Sequence, residues 1–255
     1  TNTKNLTLKF NEKIVGEIPV DALASKAPIY NRAWTKKKVS KNKFDLKKYK
    51  KVKVEEALLK ILSSPNHSNK SWITDQYDQM VMCDTVQISG ADAAVIRIHG
   101  KKKAIAVSVD SSSNYCKAHP LTGGKQIVCE NWRNLISVGA KPIAITNCLN
   151  FGNPENPKIM GEFAECLIGI KESCEFLNYP VVSGNVSFYN GTNNKNISPT
   201  PVIGGIGLIQ NLENPVDHRF KKANSCIIIV GKTLGHLEQS TFMEENYSIL
   251  DGQPP

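Results

Sequence analysis

The polar residues with the clearest chemical potential follow an apolar run in residues 180–190, which read PVVSGNVSFYN. The run is typical of a buried strand and ends at Val182. Ser183, Gly184 and Asn185 follow directly, so we expect small polar groups and a bare glycine backbone at a strand's end. A ligand can approach the main chain closely at a glycine, and open α/β sheets commonly bind ligands at strand ends. An ordinary polar turn is the alternative, since turns are rich in the same residues.

Asp110 and the Gly123-Gly124 pair are weaker signals for magnesium or phosphate. Asp110 ends another apolar run and precedes three serines. Its carboxylate could ligate magnesium bound to phosphate, or it could cap a helix or a turn. The glycine pair stands where we expect a helix to begin, and backbone N–H groups there can bind phosphate. Neither GxGxxG nor GxxxxGK[ST] occurs, which excludes the Rossmann and P-loop types of nucleotide site.

The spacing of histidines and cysteines excludes several other classes of site. The five histidines form no HExxH motif and no pair four residues apart, and no Ser-His-Asp order indicates a hydrolase. The seven cysteines are odd in number and never spaced CxxC. That argues against a zinc site and a disulfide framework, and favours a reducing cytoplasm. No apolar run approaches the ~20 residues that a membrane helix needs.

The formal net charge of +9 belongs to one segment of the chain. Residues 36–53 contain ten lysines and one aspartate, a net charge of +9, so the remaining residues sum to zero. Few apolar residues interrupt this segment, and we interpret it as a solvated linker. Nucleic-acid binding is the alternative, but Phe44 and Tyr49 are its only rings and form no stacking platform.

The apolar periodicity predicts an α+β chain in which three early strands form one mostly antiparallel sheet. The expected helices are 54–62, 125–138 with Gly139 just past its end, and 160–177. The expected strands are 5–10 and 13–20, paired as a hairpin, then 80–86, 93–98, 104–109, 143–146, 180–183, 202–209 and a buried strand at 226–231. Residues 147–157 and 190–196 are expected to be polar loops.

Four segments resemble one known family, the synthetase subunit of phosphoribosylformylglycinamidine synthase. They are HPLTGG at 119–124, NWRNLISVGAKPIAITNCLNFGNPENP at 131–157, PVVSGNVSFYN at 180–190 and SPTPVIGGIGLI at 198–209. The last three are long, ordered and correctly spaced, and the resemblance runs from about residue 13 to the C-terminus. It implies an α+β fold with a mostly antiparallel sheet packed with helices, as in the N-terminal-type domain of the aminoimidazole ribonucleotide synthetase-like superfamily.

The resemblance also implies a division of the chain into four parts. Residues 1–35 would end a preceding C-terminal-type domain, and residues 36–53 would be the basic linker. Residues 54–225 would form a second N-terminal-type domain that binds nucleotide and substrate. Residues 226–255 would begin a final C-terminal-type domain.

The family is an ATP-dependent ligase of de novo purine biosynthesis, so the resemblance implies a reaction. ATP phosphorylates the formyl oxygen of formylglycinamide ribonucleotide, and glutamine-derived ammonia displaces the phosphate to give formylglycinamidine ribonucleotide. The implied partners are missing domains of the same subunit, a glutaminase subunit and a small accessory subunit, in the cytoplasm and without nucleic acid or membrane. The family's catalytic histidine lies in the half of the subunit that this chain lacks, so we expect no catalytic residue here and no activity from this fragment. The alternative is a non-catalytic structural repeat that holds an auxiliary nucleotide.

By motif, four residues fall on family positions that have a binding role. Asn147 and Gly184 match ATP contacts, Asn185 matches a magnesium ligand, and Ser187 matches a substrate contact. Their chemistry agrees, because a glycine backbone can approach phosphate, an amide oxygen can join a magnesium shell, and a hydroxyl can bond a substrate phosphate or amide. The implied cofactors are therefore Mg²⁺ and ATP. Asn147 departs from the family's usual aspartate, which removes a charge and adds a hydrogen-bond donor.

Overall fold

The computed structural model describes residues 3–38, 45–77, 81–87, 90–213 and 216–255, which divide into two compact units, 1–33 and 34–255. The first unit is the expected hairpin of β1 (Asn5–Phe10) and β2 (Lys13–Pro19), followed by a short helix α1 (Val20–Leu23). Asn11 and Glu12 form the two-residue turn with positive φ at both positions, which is the geometry that matches strand twist. The hairpin is therefore confirmed, and its apolar side chains are mostly exposed.

The second unit is built on a six-stranded sheet in the order β3-β4-β5-β10-β6-β7. Its strands are β3 (Thr85–Gln87), β4 (Ala94–Arg97), β5 (Ala104–Asp110), β6 (Lys141–Asn150), β7 (Val181–Ser187) and β10 (Thr200–Ile209). Every neighbouring pair is antiparallel except β6 and β7, which are parallel. The expected α+β class with a mostly antiparallel sheet is therefore confirmed.

Two long helices, α5 (Pro120–Ser137) and α6 (Pro157–Leu177), pack together, and α5 lies against β5, β6 and β10. The shorter helices are α2 (Val54–Leu62), α3 (Ser71–Thr74), α4 (Ser113–Ala118) and α7 (Thr241–Tyr247). Alternation along β5 buries Ala104, Ala106 and Ser108 toward these helices and exposes Ile105 and Val109 on the opposite face. No helix in the described ranges is long and apolar enough to span a membrane.

The long helices begin earlier than the sequence pattern suggested, because each has a side-chain cap and a proline at its first turn. His119 Nδ1 accepts from the Thr122 N–H at the start of α5, and Asn156 caps α6. Gly123 and Gly124 therefore lie inside α5 rather than at its exposed end. A Cβ at either position would collide with the backbone of Cys116 or Cys166. The pair serves close packing, so its interpretation as a phosphate-binding helix start is wrong, whereas Gly139 does follow the helix with φ +79°.

Several strand predictions also differ from the structure. β6 continues through the expected loop as far as Asn150, and β7 continues to Ser187, because the two strands pair in parallel along that whole length. Residues 191–196 form a small hairpin of β8 (Gly191–Thr192) and β9 (Lys195–Asn196) rather than an irregular loop.

Two further strand predictions are wrong over most or all of their length. Within 80–86, residues Val81–Cys83 form a 3-10 turn and only the end joins β3; residues 78–80 lie outside the described part. Residues 226–231 form no strand, and the apolar side chains from Ile227 to Val230 are 77–94% exposed. An apolar run makes a strand only where another strand satisfies its backbone groups.

The basic segment is not uniformly solvated, since Lys37 differs from that expectation. Its backbone N–H donates to Glu165 at 2.9 Å, and its Nζ pairs with Glu162 at 3.0 Å. Just before it, the Thr35 N–H donates to the carbonyl of Pro157 at 3.0 Å. Gly161 of α6 leaves the space for this contact, because a Cβ there would meet the Thr35 carbonyl oxygen. Part of the segment, residues 39–44, lies outside the described residues.

A buried amide network joins the sheet to both long helices. Asn131 of α5 is fully buried, and its Nδ2 lies 2.7 Å from Asp110 and 3.1 Å from the carbonyl of Ser108, both on β5. Tyr179, which follows α6, donates its hydroxyl to Asn131 Oδ1 at 2.8 Å. Gly205 of β10 faces the same cluster, and a Cβ there would collide with both Asn131 Oδ1 and the Tyr179 hydroxyl.

Tyr179→Phe should lower the free energy of unfolding by about 1–3 kcal/mol, because it leaves the buried Asn131 Oδ1 without its donor. Tyr247→Phe is the matched control, since its hydroxyl bonds the exposed Lys50 carbonyl, where water can replace the bond. Urea denaturation of the three proteins measures both changes. Equal losses in the two variants would contradict a special role for the buried network.

Gly161→Ala should detach the segment around Thr35 from α6. If there were no collision, alanine in this helix interior would raise the free energy of unfolding by about 1 kcal/mol relative to glycine. Because the new Cβ would collide with the Thr35 carbonyl oxygen, we expect the Thr35 amide to exchange faster with deuterium and trypsin to cut sooner at Lys37. Lys158→Ala on the same helix is the control and should leave both rates unchanged. A more stable variant with a fully protected Thr35 amide would show that the contact is not needed.

Candidate functional site

The four site residues predicted from the sequence lie side by side on the parallel strands β6 and β7. In register, Asn147 stands opposite Gly184, Cys148 opposite Asn185, and Asn150 opposite Ser187. β7 is the edge strand of the sheet, so no strand of the described residues pairs with its outer backbone groups. The structure thus brings the four residues together within two neighbouring strands, although it places them inside strands and not in the loops expected after them.

The same register separates the four residues between the two faces of the sheet, because side chains alternate along a strand. Asn147 and Gly184 share the face that packs on the helices, together with the buried Leu149. Asn185 and Ser187 share the opposite face with Cys148 and Asn150. An ATP contact and a metal or substrate contact would therefore approach this edge from opposite sides.

On the helix face, Asn147 lines a cavity of about 450 Å³ between the sheet edge and α6. The walls are mainly apolar and include Leu167, Ile170 and Val181, with Lys171 and Glu175 also present. Among the described residues, the Asn147 side-chain amide makes no hydrogen bond, so it is available to a ligand. Gly184 faces the same amide, and a Cβ at 184 would collide with Asn147 Oδ1. The glycine is thus explained by packing against Asn147, without a nucleotide.

On the open face, Asn185 and Ser187 belong to a small group of polar side chains. Asn185 Nδ2 lies 3.9 Å from Cys148 Sγ, and Asn150 Nδ2 lies 3.5 Å from the same sulfur. Asn150 also points its Nδ2 at the carbonyls of Cys148 and Thr200. The amide nitrogens of both asparagines are therefore turned toward the protein, and their oxygens are left for a ligand.

The donors on the open face fit Mg²⁺ only in part. Amide and hydroxyl oxygens from Asn185 and Ser187 are acceptable ligands for a hard cation, but Mg²⁺ in proteins is usually held by one or two carboxylates together with substrate phosphates. The described part of the chain contains no group of three or more His, Cys, Asp and Glu side chains that could hold a metal. These neutral oxygens would complete a shell whose charge comes from a bound phosphate.

Asp110, the weaker metal candidate, is occupied by protein donors. Its carboxylate accepts from Ser108 Oγ, Asn131 Nδ2 and Asn134 Nδ2, each at 2.7 Å. Burial raises the pKa of the neighbouring Glu130, and the Asp110 charge raises it further. The capping interpretation of Asp110 is wrong, because Asp110 ends β5 and its carboxylate bonds Asn131 and Asn134 of α5 instead of a helix or turn N-terminus.

The loops that leave β6 and β7 are bonded to each other directly beyond the site. The Phe151 N–H donates to the Ser187 carbonyl at 3.0 Å, and the Tyr189 N–H donates to the Gly152 carbonyl at 3.0 Å. Asn190 donates its side-chain Nδ2 to the Phe151 carbonyl at 3.0 Å. Sequence reasoning missed Cys148, Asn150 and Asn190 as members of the site. Cys148 and Asn150 could have been found from side-chain alternation opposite Asn185 and Ser187, if the strand predicted at 143–146 had been continued to residue 150.

The fold and this site define an aminoimidazole ribonucleotide synthetase-like class of domain. Residues 90–209 match the family described as AIR synthase related protein, N-terminal domain. More particularly, the chain belongs to the PurL subunits of phosphoribosylformylglycinamidine synthase, to which it is similar along its whole length. It is 55% identical to the subunit from Pelagibacter ubique and 44% identical to that from Azorhizobium caulinodans, with 100% of this chain covered in both. The chain spans about 35% of the length of each of these relatives.

Solved structures from Thermotoga maritima agree with the sequence comparison. The PurLQS structure is 31% identical and superimposes with a TM-score of 0.64 over 83% of this chain and 33% of its own. PurL complexed with ATP superimposes with a TM-score of 0.59 at 32% identity, over 81% of this chain and 31% of its own. PurL complexed with FGAR superimposes with a TM-score of 0.60 at 31% identity, over 81% of this chain and 31% of its own.

Gly184→Ala should lower the free energy of unfolding by about 1 kcal/mol, because Asn147 must leave its rotamer to make room. In an Asn147→Ala background the same substitution should cost nothing, since the colliding amide is gone. A double-mutant cycle in urea measures this coupling. Additive effects of the two substitutions would contradict the packing explanation for Gly184.

Proposed function

We propose that this chain is a nucleotide- and substrate-binding part of an ATP-dependent ligase of de novo purine biosynthesis. The complete enzyme would convert formylglycinamide ribonucleotide, ATP and glutamine-derived ammonia to formylglycinamidine ribonucleotide, ADP and phosphate. The observation that supports this most is the parallel register of β6 and β7, which places all four motif-matched residues at one sheet edge. Relatives complexed with ATP and with FGAR add support from similarity.

Each of the four residues has a role that its position allows. Asn147 would contact ATP from the helix side, where its amide borders the cavity and bonds no other described residue. Gly184 would let ATP reach the backbone of the edge strand. Asn185 would offer its amide oxygen to Mg²⁺, and Ser187 would contact the ribonucleotide from the open face. Mg²⁺, if held on that face, would neutralise negative charge on a phosphate group bound beside it.

Phosphoryl transfer to the formyl oxygen and attack by ammonia would use groups outside this chain. Binding and orientation are what the residues described here can supply, and such positioning accounts for much of the catalysis in phosphoryl transfer. The ammonia would come from a glutaminase subunit, with a small accessory subunit completing a cytoplasmic assembly. Neither nucleic acid nor a membrane has a part in this proposal.

The proposed domain division keeps the expected boundaries. Residues 1–35 would belong to a preceding C-terminal-type domain and 226–255 to a final one, joined through the linker at 36–53 to the N-terminal-type domain at 54–225. The exposed apolar side chains of β1 and β2, and of Ile227 to Val230, support this division. Exposed apolar surfaces of this kind often mark contact sites for other domains or subunits.

A second candidate is a structural repeat that holds an auxiliary nucleotide without turnover. Two observations favour it. Asn147 lacks the family's negative charge, and Asp110 is engaged by three protein donors. The same residues would then bind nucleotide on this half, while the reaction occurs elsewhere in the subunit.

The isolated chain should show no synthetase turnover, because it lacks the family's catalytic histidine. The same segment, grafted in place of the corresponding third of the Pelagibacter ubique subunit, should support turnover. In that chimera, Asn185→Ala should raise the Mg²⁺ concentration for half-maximal rate about tenfold, the loss expected for one contact to a charged group. Asn194→Gly in the nearby hairpin is the control.

Two results would contradict this proposal. If the isolated chain turned over at the rate of an intact subunit, a residue of this chain would have to do the work of the catalytic histidine. An Asn185→Ala chimera with an unchanged Mg²⁺ requirement and unchanged stability would remove Asn185 from the metal site.

A further inference from the structure

The hydroxyl of Ser187 is held by one neighbouring side chain, that of Asn190. Ser187 Oγ lies 3.2 Å from Asn190 Oδ1 and 3.1 Å from Asn190 Nδ2. Both side chains are partly buried, Ser187 as the last residue of β7 and Asn190 in the turn that follows it. The direction of the Ser187 hydroxyl therefore depends on how the Asn190 amide is oriented.

Two backbone carbonyls fix that orientation. Asn190 Nδ2 lies 2.9 Å from the Ser187 carbonyl and 3.0 Å from the Phe151 carbonyl. Carbonyl oxygens only accept hydrogen bonds, so the nitrogen must be the atom that faces them. An amide nitrogen carries two hydrogens, and the two carbonyls lie closer to it, at 2.9 and 3.0 Å, than Ser187 Oγ does at 3.1 Å, so we assign both hydrogens to the carbonyls. Asn190 Oδ1 is then left to accept the Ser187 hydroxyl hydrogen.

The turn that presents Asn190 is held in a strained conformation. Tyr189 has φ +60°, a region that bulky residues rarely adopt and that often marks a functional position. The Tyr189 hydroxyl bonds Glu155 at 3.1 Å, and the Asn190 N–H donates to the Phe151 carbonyl at 3.2 Å. The strain is thus maintained by bonds to the loop that follows β6, which keeps Asn190 in place.

We propose that Asn190 is a positioning residue that makes Ser187 a hydrogen-bond acceptor toward the substrate. This inference rests on the proposed function, in which Ser187 contacts the ribonucleotide. With its hydrogen committed to Asn190, the Ser187 oxygen presents only lone pairs to the open face. Its partner is therefore a donor group of the substrate, an amide N–H or a ribose hydroxyl, and not a phosphate oxygen, which could only accept.

The donor assignment is tested in the chimera with Ser187→Ala, using formylglycinamide ribonucleotide and its dephosphorylated riboside as a competitive inhibitor. One neutral hydrogen bond corresponds to about three- to tenfold in affinity. We expect Ser187→Ala to weaken both molecules by the same factor. A loss confined to the phosphorylated molecule would show that Ser187 bonds the phosphate and would overturn the assignment.

The positioning role is tested with Asn190→Ala, Ser187→Ala and the double variant. Because Asn190 acts through Ser187, the double variant should raise the KM for the ribonucleotide no more than Ser187→Ala alone, with the KM for ATP unchanged. Asn190→Asp places a carboxylate oxygen, which cannot donate, against the Phe151 and Ser187 carbonyls, so it should raise that KM at least as much as alanine does. Asn194→Gly is the matched control, because Asn194 is the second residue of the turn between β8 and β9. Additive increases in KM would overturn the inference.

An NMR measurement on the 255-residue chain separates this inference from the proposed function. The Hα–Hβ couplings of Ser187 should report one side-chain rotamer in the native chain and in Asn194→Gly, and an average of rotamers in Asn190→Ala. Unchanged couplings in Asn190→Ala would overturn the positioning role whatever the chimera does. An inactive chimera, or a Ser187→Ala chimera with unchanged KM, would instead contradict the proposed function.

Discussion

The fold of the larger unit depends on satisfying one buried amide. Asn131 has no exposed surface, and an unpaired polar group at such a site would cost about 1–3 kcal/mol. Its partners come from β5, from the Ile203 carbonyl of β10 and from Tyr179 after α6. The side chain therefore contacts three separate elements at once, and Gly205 provides the space for it. The network therefore specifies how the helices sit on the sheet.

The position of the site follows from that placement through strand pairing. β10 pairs with β5 on one side and β6 on the other, and β6 then pairs in parallel with β7. Anchoring β10 positions β6, and the pairing of β6 with β7 then determines which of their residues stand opposite each other. Alternation then assigns Asn147 and Gly184 to the helix face and Asn185 and Ser187 to the open face. Binding from two sides of one edge strand is a consequence of this register.

Much of the fold could be predicted from the sequence, since it is encoded by local patterns. The hairpin with its Asn11-Glu12 turn, helix α2 over 54–62 and the end of α5 before Gly139 depend on turn chemistry, helical periodicity and a glycine cap. The four site residues came from motif resemblance. Cys148, Asn150 and Asn190 were not found, because their importance lies in contacts between strands and loops distant in sequence.

The sequence by itself therefore determined the class of fold, the family and the residue types at the site. Tertiary structure decided where strands end and which way side chains face. Asn147 and Asn185 are of a residue type common in turns, and so are their neighbours. They nevertheless lie in strands, because β6 and β7 satisfy each other's backbone groups. The run from Ile227 to Val230 has a strand composition and forms none, since no described strand pairs with it. Backbone hydrogen bonding between distant segments is the property that local sequence does not contain, and it overrides local preference in both cases.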